Sequence, residues 1–149
     1  MNIGILAECY LNECIAREIL KRIDIRGKLT HKKYYGRDRV LKEAKALIKR
    51  GQIDKALLVI DYEEGVNRLY LEKTLSSRDS VYEDKVIVGK DNSGRIIAVI
   101  FDPHPEDVLG IHNSRSKSRE ACRVIKQKGI QSKLENILGK LVEVLKKNL

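Results

Sequence analysis

Five consecutive apolar residues, Ala56-Leu57-Leu58-Val59-Ile60, run without polar interruption and stop at Asp61. Such a run is short for a helix, and it lacks the alternation of a strand with one wet face. It reads instead as a strand covered on both sides, the pattern of a parallel sheet flanked by helices. A second run, Ile3-Gly4-Ile5-Leu6-Ala7, has the same character and ends at Glu8. Any fold for this chain must bury both runs.

The segments between them supply the cover. Leu11, Cys14, Ile15, Ile19 and Ile23 recur at helical spacing, with Arg17, Glu18, Lys21 and Arg22 opposite, and Gly27 follows the end of this amphipathic helix. Residues 29–35 form a basic second strand broken by Gly36. Val40, Leu41, Ala44, Leu47 and Ile48 line one face of a helix over 38–50, closed by Gly51 at the expected C-terminal cap. After Asp61 a further helix is expected over 66–75. Val86-Ile87-Val88 and Ile96 to Phe101 flank Asp91-Asn92-Ser93-Gly94 and predict a hairpin. Asp102-Pro103-His104-Pro105-Glu106-Asp107 holds both prolines and reads as a loop. Residues 113–118 are polar and basic, and helices near 118–128 and 132–147 close the chain.

Alternating strands and helices imply right-handed crossovers and a mostly parallel, Rossmann-like α/β sheet with helices on both faces, followed by a hairpin and a helical pair. Residues 1–149 read as one domain, with an α/β core over 1–101 and a loop and helices over 102–149.

Thirty basic and 21 acidic residues give a formal charge of +9. Such a field favours polyanions, so DNA or RNA is the expected partner. Adaptation to heat would explain abundant charge, though not the excess of one sign. No apolar stretch approaches the length of a membrane span, and Met1 to Leu11 lacks a basic leader, so a cytoplasmic protein with no membrane partner is expected. A homodimer is compatible with the sequence. Cys9, Cys14 and Cys122 show no Cys-x-x-Cys or Cys/His cluster, which speaks against zinc. Reduced, mostly buried thiols are expected. No Gly-x-x-x-x-Gly-Lys-Ser/Thr or Gly-x-Gly-x-x-Gly stretch is present, which disfavours nucleotide-hydrolysing and dinucleotide-dependent enzymes.

In doubly wound sheets, ligands gather beyond the carboxyl ends of the strands. Glu8 stands at one such end, and Asp61, Glu63 and Glu64 follow another. Converging carboxylates need protons or a cation, and oxygen ligands select hard ions such as Mg²⁺ or Mn²⁺. The bland alternative makes each a helix cap or first-turn charge. Asp102, His104 and Glu106 could add ligands or a proton carrier from a third strand end, or form a rigid surface turn. The basic segments supply candidate nucleic-acid contacts. These are Lys32, Lys33, Tyr34, Tyr35, Arg37 and Arg39 in the first, and Arg115, Lys117 and Arg119 in the second. A lysine-protected edge strand and a solvated loop are the respective alternatives.

The two acidic strand ends resemble the Toprim domain of type IA and type II topoisomerases, bacterial primases, small nucleases and overcoming-lysogenization-defect nucleases. The family's first motif is an apolar strand ending in Glu-Gly, often followed by an Asp and a helix. Ile3-Gly4-Ile5-Leu6-Ala7-Glu8-Cys9-Tyr10-Leu11-Asn12-Glu13 is similar to it. The second motif, an apolar strand ending in Asp-x-Asp, is matched by Leu57-Leu58-Val59-Ile60-Asp61-Tyr62-Glu63. The resemblance spans about the first 100 residues, in element order as well as motif. It implies a Toprim-like fold and Mg²⁺-dependent phosphodiester chemistry, with Glu8 as general acid/base and Asp61 and Glu63 as metal ligands. Cys9 stands where the family has Gly, Asn12 where it often has Asp, and Glu63 in place of the second Asp. Cys9 would crowd a tight turn. A degenerate relative that binds nucleic acid without cutting it, alone or as a subunit of a defence complex, is the alternative.

Overall fold

The computed structural model describes residues 2–23, 27–29, 37–62, 66–111 and 120–149. The elements in chain order are β1 (Ile3–Ala7), α1 (Tyr10–Arg22), β2 (Gly27–Leu29), α2 (Arg37–Lys49), β3 (Lys55–Asp61), α3 (Val66–Thr74), β4 (Leu75–Tyr82), β5 (Val86–Asp91), β6 (Ile96–Phe101), α4 (Pro105–Leu109), α5 (Ala121–Val124) and α6 (Lys128–Asn148). The strands form one six-stranded sheet in the order β2-β1-β3-β6-β5-β4. β2, β1, β3 and β6 are parallel, whereas β5 runs antiparallel to both of its neighbours. The α/β class and the largely parallel sheet agree with the sequence pattern.

The two apolar runs lie side by side near the centre, with Ala7 opposite Val59. Their burial is complete because alternate residues feed two cores. Ile3, Ile5, Leu57, Val59, Val99 and Phe101 pack with α1 and α6 on one face. Leu6, Leu58, Ile60, Ala98 and Ile100 pack with α2 and α3 on the other. Gly4 is required by that second face, since a Cβ there would lie 2.7 Å from the Ile53 side chain. Gly51, at φ 73°, ends α2 as expected. Its N–H donates to Ile48 O and that of Gln52 to Leu47 O, the paired bonds of a Schellman cap.

Several expectations need correction. The expected hairpin belongs to a meander of three strands: β4 was not foreseen, and it joins β5 through Glu83 and Asp84, both at positive φ. The described part of β2 lies at Gly27–Leu29, just ahead of the basic segment expected to form it, and residues 30–36 lie outside the description. Pro105 does not prolong a loop but begins the five-residue α4, where its missing N–H costs nothing. Of the first closing helix, residues 118 and 119 lie outside the description, and among the described residues only the four-residue α5 is helical before α6. Cys14 and Cys122 are not reduced thiols: they form a disulfide with Cα atoms 5.3 Å apart. Packing of α5 against α1 supplies this proximity across 108 positions, which spacing in the sequence cannot reveal. Among the described residues, no helix is long and apolar enough to cross a membrane.

Candidate carboxylate site at the carboxyl edge of the sheet

Neighbouring parallel strands carry Glu8 and Asp61 to the same edge. The Glu8 N–H continues the ladder by donating to Val59 O at 3.2 Å. The Glu8 carboxylate then folds back and accepts the Asp61 N–H, with Oε2 2.9 Å from the nitrogen. Asp61 is 7% exposed, so its carboxylate needs partners. Asn12, fully buried in the first turn of α1, donates from Nδ2 to Asp61 Oδ1 at 2.9 Å and to Val59 O at 3.1 Å. One amide thereby ties the helix start to the strand end.

Cys9 is the N-cap of α1, and its φ of −150° is ordinary extended backbone. Position 9 therefore makes no demand for the backbone conformation that glycine favours. Its Sγ contacts Asn12 Oδ1 at 3.4 Å. Burial first, with Asp61, Glu106 and Glu8 adding negative charge nearby, pushes the Cys9 thiol up to about 12. That suppresses the thiolate and removes support for a thiol nucleophile.

The third strand end is partly diverted. Asp102 receives both terminal nitrogens of Arg68, at 3.2 and 3.4 Å. Arg68 also lies 4.0 Å over the Tyr62 ring. The Tyr62 hydroxyl donates to Glu72 at 2.9 Å and accepts from Arg78 at 3.0 Å. His104 Nδ1 lies 2.5 Å from Asp107 Oδ2. This bond, with the fields of Asp61, Asp107 and Glu106, holds the imidazole above the usual histidine range. Glu106 stands within electrostatic reach of Cys9 and His104.

Comparison with protein-family models, curated proteins and solved structures finds no match. The site must be read from its own chemistry.

Glu8 and Asp61 are brought together, whereas Asp102 is paired with Arg68 and His104 with Asp107. Glu63 and Glu64 lie outside the described residues, as do Lys32, Lys33, Tyr34, Tyr35, Arg115, Lys117 and Arg119. Arg37 begins α2, and Arg39 is exposed on that helix. Among the described residues, no group of three or more His, Cys, Asp or Glu side chains is arranged to hold a metal. Glu8 and Asp61 at one sheet edge supply oxygen donors of the kind a hard cation takes, since Mg²⁺ commonly uses one or two protein carboxylates and keeps most of its waters.

Sequence reasoning missed the role of Asn12 and the Arg68–Tyr62 network. For Asn12 a signal existed: it precedes Ile15, Ala16 and Ile19 by helical intervals and so sits on the apolar face of α1. A polar residue there must find a buried partner. Arg68 gave no comparable signal.

Proposed function

We propose that this chain is a divalent-metal-assisted nuclease, or a related phosphotransfer enzyme, acting on DNA or RNA through a Toprim-like fold. The observation carrying this reading is the Glu8–Asp61 hydrogen bond, which joins two acidic strand ends at the edge where parallel α/β sheets place ligands. Glu8 is the general acid/base, and its half-buried carboxylate stands at the carboxyl edge of the sheet. Asp61, with Glu63, holds Mg²⁺ or Mn²⁺. When bound, the ion supplies stabilisation of charge developing at phosphorus. Asn12 fixes the Asp61 carboxylate so that it does not reorganise as substrate arrives.

A second reading is favoured by the same bonds. Asn12 stands where the Toprim pattern often has Asp, and it satisfies Asp61 with an amide instead of leaving two carboxylates that demand a cation. This supports a non-catalytic nucleic-acid-binding or defence-complex subunit on the same fold.

The deciding experiment is cleavage of single- and double-stranded DNA and RNA across Mg²⁺ and Mn²⁺ titrations. Glu8→Gln and Asp61→Asn should both abolish cutting while leaving circular dichroism unchanged. Excess metal should partly rescue Asp61→Asn but not Glu8→Gln, because added ion cannot replace a proton carrier. Wild-type protein that binds no Mn²⁺ and cuts none of these substrates would establish the second reading.

A further inference from the structure

The α2 side of the molecule carries a row of exposed cations beside a groove. Lys42, Lys45 and Lys49 follow one another at helical intervals of three and four residues, and all three are exposed. None has a carboxylate partner among the described residues. Lys45 instead lies against Tyr70, its Nζ 3.5 Å from the hydroxyl and 5.7 Å from the ring centroid.

The last two turns of α2 form one wall of a groove of about 440 Å³, and the turn between β5 and β6 forms the other. Arg95 projects from that turn, and its backbone is fixed from both sides. Its N–H donates to Ser93 Oγ at 3.1 Å, and its carbonyl accepts the Ala56 N–H at 2.8 Å. The groove also contains Asp91, but that carboxylate is engaged within the turn by the Ser93 hydroxyl at 2.9 and 3.0 Å and by the Ile96 N–H at 3.2 Å. Lys45, Lys49 and Arg95 therefore leave the groove with excess positive charge on a rigid frame.

We propose that this groove is a docking site for the phosphodiester backbone of a nucleic-acid strand, gripped by Lys45, Lys49 and Arg95. These cations, without a carboxylate partner among the described residues, complement phosphate, and the half-buried Tyr70 beside Lys45 leaves part of its ring for a base or sugar. The groove lies at the amino edge of the sheet, opposite the carboxylates, because α2 ends just before β3 begins. α2 spans roughly 20 Å at 1.5 Å per residue, so Lys42 and Arg39 continue the track from the groove toward the carboxyl edge. A strand lying along α2 would be held remote from the reacting end. This site shares its nucleic-acid partner with the reading above, but not its chemistry.

The test measures fluorescence anisotropy of labelled oligonucleotides about 20 residues long, single- and double-stranded, in EDTA between about 50 and 200 mM salt. Lys45→Glu/Lys49→Glu/Arg95→Glu should weaken binding at least about tenfold at low salt and flatten the log–log salt slope by about 2 to 3. The neutral set Lys45→Gln/Lys49→Gln/Arg95→Gln should act in the same direction with a smaller loss. Lys128→Glu/Lys146→Glu/Lys147→Glu, an equal charge change on the exposed face of α6, should alter affinity less than about threefold. Equal weakening by the α2-side and α6 sets, or no binding by wild type at low salt, overturns the proposal. Because metal is absent throughout, wild type that docks here yet cuts nothing sustains this inference while the nuclease reading fails.

Discussion

α1 and α2 are both 13 residues long, both amphipathic, and pack on opposite faces of the same strands. They differ in where their polar groups are directed. α1 turns them inward: Asn12 holds Asp61, and Cys14 is bonded to Cys122. Arg17 pairs with Glu13, Lys21 with Glu18, and Arg22 with Glu18 and Glu135. α2 is held to the sheet by Val40, Leu41, Ala44 and Leu47 with Ile48 beside them, and Lys42, Lys45 and Lys49 are exposed without acidic partners among the described residues. One pattern of apolar spacing therefore supports two roles. A helix whose polar groups are satisfied internally fixes a site, and one whose charges are left open can meet a partner.

The contrast predicts a graded set of losses. The largest should come from opening the Cys14–Cys122 bridge. Reduction, or Cys14→Ala with Cys122→Ala, should lower unfolding free energy by about 4–5 kcal/mol in chemical denaturation, given the length of chain enclosed. A loss near zero would mean that α1 is anchored by packing alone. Next comes Asn12→Leu, which keeps the branched skeleton but removes two buried hydrogen bonds, one to a carboxylate. It should cost about 2–3 kcal/mol by the same measurement. If the cost is under about 0.5 kcal/mol, Asp61 has no need of α1.

The third effect depends on pH. The Cys9 thiol is raised from 9.0 to about 12 in the folded protein, so above pH 9 the unfolded chain loses a proton that the native one keeps. Its contribution is therefore fully present below pH 9 and is lost as pH rises toward about 12. Cys9→Ala should remove that downward slope from stability measured across the alkaline range, and an unchanged slope would place its origin elsewhere. The smallest changes belong to the surface. Arg17→Ala should cost under about 0.5 kcal/mol, as exposed ion pairs do. The three charge reversals around the α2 groove should each shift stability by no more than about 0.5 kcal/mol, while affecting binding strongly. Large destabilisation there would show that those lysines serve the fold.

Elements whose local pattern agrees with their final setting were legible in the sequence. Runs of apolar residues marked β1, β3 and β6, spacing marked α1 and α2, and α3 was placed by its position after the β3 end. β4 was hidden because Leu75 to Tyr82 is a polar edge strand, exposed over most of its length. Its turn uses Glu83-Asp84, where Asn-Gly would have signalled a hairpin. At the site, Glu8 and Asp61 could be placed together because strand ends fix their positions. The diversion of Asp102 could not, since it depends on Arg68 reaching across from another element. Cys14 and Cys122 likewise meet only through tertiary packing.

The bridge also sets what a mechanical load on the chain ends could release. It closes a covalent ring across 108 positions, inside which lie β2 through β6. Force applied to the two termini bypasses that ring and falls on the segments outside it, β1 with the start of α1 on one side and α6 on the other. The first strand to be stripped from the sheet would then be the one that carries Glu8, so tension would dismantle the carboxylate site while most of the sheet stayed enclosed.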